Sequence, residues 1–89
     1  MSPLNLNQIR ALGELDEARR AFDEDVPAIV EPARRARLYA ACVMAGELGI
    51  DRAQVDVVLD GVEPAWPASA GLDERNILDL AYRFAGVDR

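Results

Sequence analysis

Few residues in this chain are equipped to make or break bonds. Histidine and lysine are both absent, so no side chain titrates naturally near neutral pH and no amine is present for Schiff-base chemistry. The single cysteine, Cys42, lies in an uncharged run from Leu38 to Gly46. A thiol there behaves as a small buried hydrophobe, whereas a reactive thiolate needs an electropositive, partly exposed setting. Arg35 and Arg37 are near it in sequence but project from other faces of a helix. Ser2 and Ser69 have no recognisable base or oxyanion partner. One cysteine cannot make a zinc site, and Asp23-Glu24-Asp25 lacks the alternating oxygens and central glycine of a calcium loop. No glycine-rich strand–turn–helix cradles a phosphate. The expectation is a protein that is not an enzyme and holds no metal or cofactor.

What remains is the chemistry of recognition. Residues 51–63 carry four acids and one arginine. Asp51, Arg52, Ala53, Gln54, Asp56, Val57 and Asp60 take the N-terminal and outward positions of a short helix whose inner face is Val55, Val58 and Leu59. Asp51, Asp56 and Asp60 recur at five and four residues, and none has a basic residue at i+4. Like charges at that spacing cost a helix a few tenths of a kcal/mol. A surface that meets a basic partner gains steering and specificity from them. Trp66, between Pro64 and Pro67, has two uses: a plug folded over the core, or an anchor for a partner held rigid by its prolines.

These residues need a scaffold, and the apolar pattern supplies a helical one. Ser2-Pro3, Asn5 or Asn7 can start the first helix, and Ile9, Leu12, Leu15, Ala18 and Phe22 give it one buried stripe. Acids at 23–25 oppose the negative helix end, and Pro27 stops the helix. Glu31-Pro32 starts a second helix, basic in its first turns at Arg34, Arg35 and Arg37, then buried nearly all round. Gly49 supplies a left-handed turn, Asp51 caps the third helix and Gly61 ends it. Asp73 caps the fourth, with Ile77, Leu80, Ala81 and Phe84 on its inner face. A second stripe of Leu78, Tyr82 and Ala85 means that this helix is buried on more than one side or shared with a partner, a second copy of the chain included. Tyr39 and Tyr82 read as core-edge residues with wet hydroxyls.

The expected fold is all-α: a small four-helix domain over 1–89, with helices near 5–24, 32–47, 52–60 and 73–85 and a linker at 61–71. Its 89 residues are enough for one modest core. A hydrophobic fraction of 51% with 29% charged residues is that of a globular protein. No apolar run approaches the roughly 18–20 residues that span a bilayer, and Met1-Ser2-Pro3-Leu4-Asn5 has no signal-peptide pattern. With a lone cysteine, these features lead to an expected cytoplasmic location. Arginine used in place of lysine, with abundant alanine, points to a GC-rich bacterial or phage genome.

The centre of the chain also carries a spacing of its own. Ala45 and Gly49 stand four apart, Ile50 follows, Val55 comes five residues later and Val58 three after that. Ala41, Met44 and Leu48 complete an apolar interior. Residues 38–59 thus resemble the helix-turn-helix unit of bacterial repressors. The resemblance implies a recognition helix at 52–60 in which Arg52 and Gln54 meet base edges while Arg34, Arg35 and Arg37 meet phosphates. The three aspartates on that helix and a formal net charge of −6 oppose a polyanion. The favoured expectation is therefore a small regulator, inhibitor or adaptor that meets a basic protein through Asp51, Arg52, Asp56, Asp60 and Trp66. The alternative is a DNA-binding transcriptional regulator.

Overall fold

Asn5 is the residue that starts the first helix. Its Oδ1 accepts from the Gln8 amide at 2.8 Å while Gln8 Oε1 accepts from the Asn5 amide at 2.9 Å, so two otherwise orphaned donors are satisfied reciprocally. The computed structural model describes residues 3–66 and 73–88; a start at Ser2 and part of the expected linker lie outside them. The described chain forms four helices and no strand: α1 (Leu6–Ala21), α2 (Glu31–Glu47), α3 (Arg52–Leu59) and α4 (Glu74–Ala85). The fold is all-α. Among the described residues no helix is long and apolar enough to cross a membrane.

α1 stops three residues short of the expected position. Its last carbonyls face acids at 23–25, and a cation from α2 settles them instead. Arg34 Nη1 donates to the carbonyls of Ala21, Phe22 and Glu24 at 3.0, 3.1 and 2.8 Å. A guanidinium at a helix C-terminus satisfies orphan acceptors and favours the dipole together. The buried stripe of α1 is Ala11, Glu14, Leu15 and Ala18. Ile9, expected inside, is 54% exposed; the alanines face the core because they let α2 approach closely.

α2 runs antiparallel to α1, since Gln8 Nε2 donates to the Leu48 carbonyl near one end and Arg34 reaches Ala21 at the other. From Leu38 to Ala45 no residue is exposed, and of the charge-free run only Gly46 reaches solvent fully. Leu38, Ala41, Met44 and Ala45 are fully buried and, with Leu15, centre the core.

α2 ends in a Schellman turn. The Ile50 amide donates to the Ala45 carbonyl at 3.0 Å and the Gly49 amide to Gly46 at 3.1 Å, with Gly49 at φ 79°. Buried Ile50 and Ala45 supply the apolar contact that accompanies this motif. Asp51 Oδ1 then accepts from the Ala53 amide at 3.1 Å to start α3. At the far end of α3 the left-handed residue is Asp60, φ 49°, followed by Gly61, φ 85°. The expected stop at Gly61 is therefore shared by two residues. Arg19 Nε closes this end by donating to the Leu59 carbonyl at 2.8 Å.

α4 begins at the Asp73 cap and ends at left-handed Gly86. Its buried residues are Leu78, Ala81 and Tyr82, while Phe84 is 62% exposed and Leu80 also reaches solvent. The core face thus joins Leu78 and Tyr82 of the second stripe to Ala81 of the first, with Ile77 and Ala85 packed partly against it. Tyr82 tolerates burial because its hydroxyl donates to Glu47 Oε2 at 3.2 Å, and Phe84 lies beneath the Arg37 guanidinium, 5.2 Å from its ring centre.

The turn gives a direct test. Gly49 has a left-handed backbone, in which a Cβ costs roughly 1 kcal/mol or more. A Cβ on helical Gly46 would meet nothing within 4 Å. Gly49→Val should lower the melting temperature by several degrees, and Gly46→Ala should leave it equal or raise it. A Gly49→Val protein melting with the wild type would refute the turn.

Candidate interaction surface

α3 presents Asp51, Arg52, Ala53, Asp56, Val57 and Asp60 to solvent, and half-buries Gln54. The three aspartates do not form one row. Asp51 caps the helix with its carboxylate on backbone. Asp56 is paired: Arg52 Nε lies 2.9 Å from its Oδ1. The cation stands four residues before the acid, so a search at i+4 misses it. Asp60, in its left-handed cap, shares the outer side with Asp56. Between them and Ala53 stands Val57, 78% exposed. Val57 also borders a shallow cleft of about 410 Å³, whose walls include Leu4, Gln8, Gly49, Ala53 and Gln54.

The opposite flank of α3 has a different character. A groove of about 400 Å³ runs past Tyr39, Cys42, Val43, Arg52, Glu63 and Pro64. Cys42 is half-buried there. Burial pushes its thiol up to about 11, against a smaller downward pull from Arg52. The thiol is therefore protonated at neutral pH, in keeping with its expected place as a small hydrophobe. Trp66 is half-buried too, its ring edge-on to Tyr39 with 5.6 Å between centres. It lies against α2 with part of its surface left to solvent. The Tyr39 phenol is raised above its usual range by the charge of Glu74, then by burial and a hydrogen bond to the same carboxylate.

The arginines nominated for phosphate contact sit at the α1–α2 junction, each beside a carboxylate. Arg34 binds Glu31 in addition to three carbonyls, and its guanidinium lies 4.9 Å over the Phe22 ring. Arg35 also binds Glu31, whose carboxyl is held below its usual range by Arg35 first and then Arg34. Arg37 grips Glu14 with two bonds, Nε to Oε1 at 2.6 Å and Nη2 to Oε2 at 3.2 Å, and reaches Glu17 at 3.5 Å. The Glu14 side chain is 1% exposed. Its hydrogen bonds raise Arg37 further above its ordinary range. Sequence reasoning passed over Glu14, although its position was a signal: an acid three residues after Ala11 and four before Ala18, inside the apolar stripe. Arg52 and Gln54 stand apart from this junction, on α3.

Two measurements follow. Arg37→Leu strands a buried carboxylate and should cost about 2–3 kcal/mol, at the lower side for a buried pair because Arg37 is partly solvated. Adding Glu14→Leu to that variant should recover most of the loss in urea unfolding; simple additivity of the two changes would disprove the coupling. Cys42 should be alkylated by iodoacetamide at pH 8 far more slowly in the folded protein than in urea, and equal rates would mean a freely solvated thiol.

No family model, characterised protein or solved structure matches this chain, so its functional reading rests on the residues themselves.

Proposed function

We propose that this chain acts without catalysis, as a small regulator, inhibitor or adaptor that holds a basic protein through the outward face of α3. The observation that carries the proposal is Val57, exposed among Ala53, Asp56 and Asp60. A lone exposed valine is ordinary. An apolar centre with carboxylates around it has the arrangement of a protein interface, apolar within and polar at the rim. Carboxylates at such a rim accelerate encounter with a cationic surface more than they add affinity. Trp66 belongs to a different flank and extends the surface only if the partner wraps α3.

A second reading is a helix-turn-helix regulator of transcription, and one feature favours it: Arg52 stands exposed at the start of the helix that follows the glycine turn. Gln54 beside it would read an adenine edge. Against it, Arg34, Arg35 and Arg37 are tied to Glu31, Glu14 and Glu17, and freeing them for phosphates would break those pairs. Phosphate neutralisation dominates affinity for DNA, and the net charge of −6 opposes it.

The two readings part in one experiment. Selection from random duplexes at physiological salt should enrich no motif, whereas an enriched sequence bound at about 10⁻⁸ to 10⁻¹¹ M would establish the repressor reading. In parallel, Asp56→Asn/Asp60→Asn should melt close to the wild type, because the repulsion relieved four residues apart offsets the lost Arg52–Asp56 pair.

A further inference from the structure

We infer that the cleft between the N-terminal segment and α3 receives an apolar side chain from a cationic amphipathic segment of another protein, whose Arg or Lys residues lie against Asp56 and Asp60. The inference deepens the proposed protein-binding role of α3 and rests on it. Leu4, Gly49, Ala53 and Val57 give the cleft an apolar lining, and Gln8, Gln54 and Asp51 supply its polar groups. Its floor is fixed before any partner arrives. Gln8 is held by the Asn5 cap and by its bond to the Leu48 carbonyl, and Gly49 is locked in the Schellman turn. A preformed floor removes much of the ordering cost of binding.

Charge selects the occupant. Asp51 stands at the mouth of the cleft, and Asp56 and Asp60 lie beyond Val57 on the outer side of α3. Arg52 neutralises part of Asp56; Asp60 makes no ion pair among the described residues. An apolar anchor seated beside Val57 therefore places its flanking residues next to carboxylates. A second copy of this chain, with the same net charge of −6, would bring like charge to that rim and is a poor occupant. Nucleic acid fits worse, because an apolar cleft offers nothing to a phosphate and the acids repel it.

The test is selection of phage-displayed random 16-residue peptides on the immobilised full chain. The selected peptides are then measured for affinity and on-rate at two ionic strengths. Four proteins are compared: wild type, Val57→Ser, Leu4→Ser and Asp56→Asn/Asp60→Asn. Val57 is solvent-exposed, so its replacement leaves the fold intact. Enriched peptides should carry net positive charge around a Leu, Met, Phe or Trp. Val57→Ser should weaken them roughly tenfold at both salts. The aspartate variant should slow association chiefly at low salt. Basic peptides weakened by the aspartate change but indifferent to Val57→Ser and Leu4→Ser would overturn the cleft and leave the acidic-helix reading standing. Peptides without net positive charge, indifferent to all three variants, would overturn both, as would no enrichment at all.

Discussion

The contact between Glu14 and Arg37 is the constraint around which the rest of the molecule is arranged. A carboxylate at 1% exposure needs its charge matched and its oxygens hydrogen-bonded, and Arg37 reaches each oxygen with one of two parallel bonds. That grip fits the rotation of α1 against α2 in which Ala11, Leu15 and Ala18 face inward and Ile9 outward. Three residues earlier on α2, Arg34 closes the end of α1. The basic first turns of α2 thus join two helices. They are structural cations, and the electrostatic character left to the rest of the surface is acidic.

Once α1 and α2 are locked, α3 has little freedom. Its entry is set by the Schellman turn and by Gln8, its exit by Arg19 on the Leu59 carbonyl. Side chains of α1 hold the chain on both sides of an eight-residue helix that buries only Val55 and Leu59 fully. A helix this short is marginal alone, so its stability comes chiefly from these ties, and its outer face adds only the Asp51 cap and the Arg52–Asp56 pair. This leaves Ala53, Val57, Asp56 and Asp60 available for the recognition proposed above.

Much of this order was legible in the sequence. Caps at Asn5, Asp51 and Asp73, the proline at the start of α2 and the left-handed Gly49 follow from side-chain and backbone chemistry within a few residues. The uncharged run of α2 marked the core correctly. Rotation of the outer helices was less legible. Periodicity allows two adjacent stripes on α4 and cannot choose between Phe84 and Tyr82; a hydroxyl 3.2 Å from Glu47 and a guanidinium over Phe84 decide it. Pairings between distant residues, Glu14 with Arg37 and Arg34 with the end of α1, were not visible as contacts. The three arginines therefore read as a free basic patch. On α3 the exposure of Val57 and the acids was readable from helical spacing, whereas the cleft beside them needs residues some fifty positions apart in the chain and emerges only on folding.

The proposed role assigns recognition to the outer face of α3 and not to the arginines of α2. Amide chemical-shift mapping on titration with an arginine-rich amphipathic peptide tests it most directly. Salt-sensitive shifts should concentrate at Leu4 and from Ala53 to Asp60, with residues 34–37 unmoved. Shifts centred on Arg34, Arg35 and Arg37, or none on α3, would contradict it.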